Sequence, residues 1–387
     1  MIPPPDARVL CVVLDSASAI DEVRDELAQL AEQPGAASSI VQHPDWLRFE
    51  LESRGGKVAP HVVVVRNAEN HIVGYAPFLA GHHHARIALG SRHATLYRGR
   101  ALRLLGSGVV ALPNERAMVE AVVARTLALD PTVRVIHIQE AVLPNTLAHA
   151  LSQSGTGFAC VSSNLLEQIN WTIRPQESLP AYMAGLGSKR RGSLTKKSRS
   201  VLNKLGEEAQ VRVFEAPEDI DAYCRLMNEV YAKSWHAKER AIDWELPARR
   251  ELFVGLARRQ QLVGHLLMLG SRPIAYEHGY RLGGRHLLDG TGYDEEFAAV
   301  GVGSVLVFQA IQYLVERYPQ DTIDFGFGDN EYKRLLATDQ ASCGSLYLVR
   351  GAAARIGFGM ISPLRAAYQG AYRARDWLRA ARVRKLR

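Results

Sequence analysis

Two stretches of this chain carry the same succession of apolar runs. Val62–Arg66 and Ile72–Ala80 have strand length and are separated by the polar Asn67–His71, which predicts a β-hairpin. Leu262–Leu269 and Ile274–Arg281, divided by Gly270–Arg272, predict a second one. A helix follows later in each stretch, Arg116–Leu129 and Gly303–Arg317. An apolar strand then follows each helix, Val133–Gln139 and Thr322–Gly326. The repetition points to two copies of one α/β unit, with a boundary near Ser162–Pro180. Around these lie a strand at Val9–Leu14 and helices at Ser18–Glu32 and Pro44–Ser53. Helix Pro217–Trp235 opens on Pro217, Glu218 and Asp219, as a helix start does. Its stripe of Ile220, Tyr223, Cys224, Met227 and Tyr231 reads as core.

Chemistry concentrates between Arg272 and Lys333. The loop Phe297–Ser304 contains Gly301 and Gly303 and leads into Val305–Val315, which is apolar on most faces and predicted to be buried. A helix start carries unpaired N–H groups and a partial positive charge, so it suits a phosphate. On spacing alone, an ordinary loop before a core helix accounts for the two glycines more readily. In Thr322–Gly328, strand alternation puts Ile323, Phe325 and Phe327 on one face and Asp324, Gly326 and Gly328 on the other. A carboxylate beside glycines leaves room for a ligand.

Charge changes the picture at two places. The net charge is +7, and Pro363–Arg387 alone holds eight basic residues against Asp376, so residues 1–362 sum to zero. Tyr368, Tyr372 and Trp377 are interleaved there, a mixture that suits an anionic lipid surface. A solvated helix packed on the body by its tyrosines fits equally. Nucleic acid ranks third, because no recognised motif accompanies the charge. The second cluster, Lys189–Lys204, has seven cations and no carboxylate. Such a run repels itself and points to an anionic partner, whether a phosphate-bearing cosubstrate, a phospholipid or a tRNA.

Other features exclude classes. There is no run of about 18 apolar residues, and the start shows no charged n-region or long apolar h-region. Cys11, Cys160, Cys224 and Cys343 are far apart and read as reduced, mostly buried thiols of a cytoplasmic protein. His82-His83-His84 lacks the spaced partners of a metal site and reads as a surface turn, so no metal is expected. Gly99–Gly108 reads as a strand with turns.

The run Pro273–Tyr280, then Gly292–Phe297, the glycine loop and Asp324–Lys333 resemble the GNAT-fold acyltransferases of the CelD/BcsL type. These are BioF2-like acetyltransferases, relatives of the FemAB peptidyltransferases. The basic run Lys189–Arg199 is similar to that family's basic helix. The likeness covers roughly residues 170–345; the first half fits more loosely through Trp46, Arg66–Pro77 and Leu102–Gly108. It implies an α/β fold of tandem GNAT-like domains, with mixed twisted sheets flanked by helices. The expected domains are 1–165 and 166–350, with a basic C-terminal helix over 351–387. The family's loop usually reads Ser-Pro-Gly, whereas here it is Gly301-Val302-Gly303. That substitution keeps backbone binding of phosphate and loses the loop hydroxyl.

The resemblance implies acyl transfer from acyl-CoA, a cosubstrate, to an amine. The amine must lose a proton to a base, and the oxyanion needs donors, usually backbone N–H groups on a splayed strand. Candidate catalytic residues are Glu277, His278, Asp289, Asp324 and Lys333. Glu277, on the strand face of Ala275, is the first choice for the base. Asp324 and Lys333 could pair, or Lys333 could hold a donor phosphate. Val300, Gly301, Val302, Gly303, Ser304 and Tyr332 would bind the cosubstrate, and Arg190, Arg191 and Trp235 the substrates. Val109-Val110-Ala111 stands where carbohydrate-pathway members show Asp-Tyr, which favours a hydrophobic acceptor or acyl chain.

Three readings follow. The first is an N-acyltransferase acting on the amine of a membrane lipid or envelope precursor, such as a sphingoid-base-like amine. It resembles the bacterial ceramide synthases and would sit peripherally on the inner face of the inner membrane. The second is a FemAB-like aminoacyl-tRNA-dependent peptidyltransferase, disfavoured by the lack of a long heptad arm, with an exopolysaccharide acetyltransferase beside it. The third is a non-enzymatic lipid- or polymer-binding module.

Overall fold

The computed structural model describes residues 9–89, 92–153, 155–165 and 168–370. They form two compact units. One draws on the described residues of Met1–Leu30, Arg54–Ile169 and Ser342–Arg387, the other on Ala31–Ser53 and Asn170–Ala341. Neither unit is therefore contiguous in sequence.

In the first unit, β1 (Leu10–Leu14), β2 (Val58–Arg66), β3 (Ile72–Leu89) and β4 (Arg92–Leu104) run antiparallel in that order. The short β5 (Val110–Ala111) pairs with β3. Then β6 (Val135–Val142) joins β4 in parallel. The terminal strand Asp339–Val349 carries β6 on one side and β7 (Ala159–Ser162) on the other. The helix expected over Ser18–Glu32 breaks at Val23 into α1 (Ala17–Glu22) and α2 (Arg24–Ala31). The next helix, α3 (Pro44–Ser53), belongs to the second unit. Helix α4 (Arg116–Leu129) seats Val119, Val123 and Leu127 on the sheet, and α5 (Thr146–Leu151) follows it.

The histidine triplet lies inside β3 and not in a turn. Three histidines contain no turn residue, and the long pairing of β3 with β4 carries the strand through them. His83 points inward, with its Nε2 3.0 Å from the Tyr347 hydroxyl, while His82 and His84 are exposed. Cys224 and Cys343 are buried, but Cys11 is half-buried and Cys160 is exposed.

The second unit repeats the device. Strands β8 (Gln168–Ile173), β9 (Ala209–Phe214), β10 (Leu262–Leu269), β11 (Arg272–Leu282), β12 (Arg285–Tyr293) and β13 (Thr322–Phe327) stand in the order β8-β13-β12-β11-β10-β9. Only β12 and β13 are parallel. Helices α6 (Leu179–Gly185) and α7 (Ser188–Leu205) precede β9. Helices α8 (Ile220–Ala232), α9 (His236–Glu239) and α10 (Pro247–Arg258) fall between β9 and β10. Helix α11 (Val302–Arg317) connects β12 to β13, and α12 (Glu331–Leu336) comes next.

Two cores sandwich this sheet. On one face the α8 stripe of Ile220, Tyr223, Cys224 and Met227 meets Phe253, Tyr276 and Tyr280. Trp46 of α3 closes that core edge-on to Tyr280, 4.9 Å between ring centres. On the other face α11 packs Val302, Val305 and Leu306 against Ala275 and Val201.

The chain ends, among described residues, in α13 (Ala352–Gly359) and further helix through residue 370. Ala354, Phe358 and Ile361 bury against Ile87, Leu96 and Val135 of the first unit, with Leu364 packed beside them. Arg365 donates to the carbonyl oxygens of Asn164, at 2.9 Å, and Ser162. Gln369 donates to Leu165 O at 3.3 Å. This first part of the basic tail is thus docked on the body. The cations from Arg373 onward lie outside the described residues. Truncation after Ser362 is expected to lower the melting temperature by about 5 °C, from lost apolar contact and two charge-assisted bonds. An unchanged melting curve would show that the docking contributes nothing.

Candidate active site

The parallel ladder between β12 and β13 is short. It pairs Arg285–Leu287 with Thr322–Asp324. Beyond it β12 follows β11 up to Tyr293, while β13 leaves strand geometry at Gly326, whose φ is +66°. Only glycine adopts that backbone at little cost. The result is a wedge between the ends of two parallel strands. Asp324 anchors its closed end. Its Oδ2 accepts from Arg285 Nε and a terminal Arg285 nitrogen at 3.0 and 2.7 Å, and its Oδ1 from Asn170 at 2.7 Å and Gly326 N–H at 2.9 Å. The ion pair of Asp324 is therefore with Arg285. Lys333 is buried and donates to Phe327 O at 2.9 Å and Gly326 O at 3.3 Å, holding the turn that ends β13.

One wall of the wedge is the start of α11. Gly301 stands at φ +84° as N-cap, with no side chain capping the helix. The N–H groups of Val302, Gly303 and Ser304 then have no partner within the helix, as geometry requires of a first turn. Lys197 of α7 lies against this loop: a Cβ added to Gly301 would sit 3.5 Å from Lys197 Cε and 3.9 Å from Nζ. The acids just upstream are engaged by cations, one arginine serving two of them. Asp294 and Glu296 pair with Arg272 at 2.5 and 2.6 Å, and Glu295 pairs with Lys238 at 2.6 Å. Lys197 thus places a cation beside the open start of the helix. Gly303 instead touches protein, since a Cβ there would fall 2.7 Å from the Tyr293 ring. A large side chain at 303 would disturb packing as well as a ligand. Val300 and Ser304 are half-buried beside these residues.

The polar candidates on β11 face opposite ways, because strand side chains alternate. Glu277 is fully buried on the α11 face, its Oε2 2.7 Å from His265 Nδ1 on β10. Glu277 Oε1, His265 Nε2 and both nitrogens of the neighbouring buried His286 have no hydrogen-bond partner among the described residues. Burial depresses the His286 pKa to about 3. His278 turns into the other core. Its Nδ1 lies 2.6 Å from the Tyr223 hydroxyl and its Nε2 2.6 Å from that of Tyr280. Burial, with Arg249 and His286 adding to it, pushes its pKa to about 3, so the ring is neutral.

Asp289 differs from the other four catalytic candidates, all of which are buried. It is the extra residue of a β-bulge, where β12 passes from Gly290 opposite His278 to Leu288 opposite Gly279. Bulges re-aim side chains and leave backbone groups off the ladder. Asp289 reaches solvent, yet protein crowds it. That crowding raises its carboxyl above the usual range, Arg249 and Arg240 pull it down, and the charge of Glu277 pushes it up. Nearby, His236 Nε2 contacts Thr291 O at 3.0 Å, and Trp235, 42% exposed, stacks on His236 at 3.7 Å. Tyr332 on α12 is half-buried. Burial first, then the charge of Glu277, pushes its hydroxyl up to about 12. Arg190 and Arg191 are exposed on the first turn of α7.

Residues 188–334 match the acetyltransferase (GNAT) domain family. This segment is a GNAT acyltransferase domain. Solved structures share the fold over most of the chain. FemX, 11% identical, aligns with a TM-score of 0.57 over 84% of this chain and 96% of its own. The C-terminal domain of a protein described as a lysylphosphatidylglycerol synthetase, from Agrobacterium fabrum, aligns at 0.54 and 11% identity, covering 89% and 96%. L-PGS from Bacillus licheniformis gives 0.50 and 13% identity over 83% and 96%. No curated protein matches the sequence.

Sequence reading of the acyltransferase domain missed Lys197 as an individual, although it lay in the noted cluster. It also missed His265. Pairing back from the Gly270 turn alone would set Gly264 opposite Glu277; a bulge between Leu267 and Met268 shifts the register by one and brings His265 there, so no local signal marked it.

Proposed function

We propose that this enzyme transfers an acyl group from an acyl-CoA thioester to the amine of a membrane lipid or envelope precursor. The observation that carries this reading is the cradle formed by Gly301, the uncapped start of α11 and Lys197, beside a wedge between parallel strands. The first-turn N–H groups and the lysine suit a diphosphate. The wedge suits a narrow chain running inward from it.

On the opposite side Asp289 takes the proton from the attacking amine. The nitrogen forms a bond to the thioester carbonyl carbon, and the C–S bond then breaks. Backbone N–H groups released from the ladder by the bulge can face the oxyanion. Tyr332, kept protonated by its surroundings, can give its proton to the departing sulfur and regain one from solvent. Trp235, open to solvent beside His236, offers an apolar wall for an acceptor. Likeness to the C-terminal domain of a protein described as a lysylphosphatidylglycerol synthetase supports a lipid acceptor.

Lys197→Ala is expected to weaken CoA binding about tenfold, about 1.4 kcal/mol. Titration calorimetry with CoA measures this, and unchanged affinity in the variant would remove the cradle from donor binding. If the wild type binds no CoA, the acyl-CoA donor falls and an aminoacyl-tRNA donor takes its place.

A further inference from the structure

The seven cations of α7 do not share one ligand. Lys197 leans on Gly301, whereas Lys196 lies about 100° away around the helix axis. Ser198 and Val201 face the domain interior, with Leu202 and Leu205 packed beside them. Along the solvent side runs an open surface lined by Arg191, Lys196, Arg199 and Lys204, with Thr195, Ser200 and Asn203 between them; Lys204 shares the phase of Lys197 but lies two turns further along, roughly 10 Å from the Gly301 loop. None of these cations has an ion pair among the described residues, although Arg259, Arg272, Arg281 and Arg285 of the same unit are all paired.

We propose that this outer face of α7 is an electrostatic docking surface for an anionic lipid bilayer. The inference deepens the lipid-acceptor reading and rests on it for its purpose, though not for its chemistry. Lys189 to Lys204 spans roughly 22 Å of helix, longer than one phosphate needs. The exposed α7 residues are lysine, arginine, serine, threonine, asparagine and glycine. Without an aromatic side chain the face gives no platform for bases, which single-stranded nucleic acid binding uses. Without an apolar one it adsorbs on a membrane and does not insert. Hydroxyl and amide donors between cations suit the phosphate oxygens of headgroups. The charge of Pro363–Arg387 has the same sign.

The test uses full-length protein and vesicles of phosphatidylcholine with or without phosphatidylglycerol. Wild type pellets with the anionic vesicles at low salt and is released at high salt. The triple variant Lys196→Gln, Arg199→Gln, Lys204→Gln loses roughly 100-fold in vesicle affinity and keeps its CoA affinity. Lys197→Ala shows the reverse pattern. A charge-conserving triple variant, Lys196→Arg, Arg199→Lys, Lys204→Arg, keeps vesicle binding. The proposal is overturned if wild type fails to pellet, if the neutral triple variant pellets like wild type, if the charge-conserving one does not, or if a single-stranded oligonucleotide outcompetes the vesicles. Vesicle binding that persists in a protein unable to bind CoA would sink the donor reading and leave the docking surface standing.

Discussion

Asp289→Asn is expected to lower kcat by about 100-fold or more while leaving CoA affinity unchanged, because it removes a base and touches no donor contact. Measured on the amine that wild type acylates, the acid limb of its pH–rate profile should also disappear. The same variant should melt higher than wild type at neutral pH. The carboxyl of Asp289 is raised in the folded protein, chiefly by crowding. The folded state therefore holds its proton to higher pH than the unfolded chain does. Stability from this group is full below the unfolded pKa and is lost as pH rises through the folded one. Asparagine carries no charge to lose. A variant that is slower yet more stable fits a base kept poised at a cost to the fold. Full activity would move the base elsewhere, and lowered stability would mean that Asp289 is held by its arginines.

His278→Ala is expected to destabilise the protein by about 4 kcal/mol, with kcat of the folded fraction nearly intact. The ring fills a fully buried site between Phe253 and Trp244, each centred 5.1 Å away. Removing it leaves a cavity and strands the hydroxyls of Tyr223 and Tyr280 without this partner. Denaturant unfolding measures the loss. Stability close to wild type combined with a 100-fold drop in kcat would restore His278 to the catalytic set. Glu277→Gln should resemble it in kind. Glu277 has no surface through which an amine can reach it, so its loss should disturb the pairing with His265 more than the proton transfer.

The sequence by itself determined the elements and their repeated order. Turn residues at Asn67–His71 and Gly270–Arg272 fix both hairpins, and the apolar face of α11 fixes its burial. These signals are local, carried by residues a few positions apart. The sequence also marked the Gly301 loop and the basic helix as places for anions. Among five catalytic candidates it put Glu277 first, without access to exposure, on which that choice depends. Glu277 and His278 are neighbours in sequence, yet they point into different cores because strand side chains alternate. Asp289 is open only because a bulge, a property of two paired strands, turns it outward. Lys197 differs from Lys196 only through helical phase against α11. Likewise Ala31–Ser53 joins the second unit through Trp46 on Tyr280 and Asp45 on Arg259, contacts more than 200 positions apart. No local pattern encodes contacts of that range. They arise where separate apolar faces bury each other, so only the tertiary structure decides which polar groups stay wet.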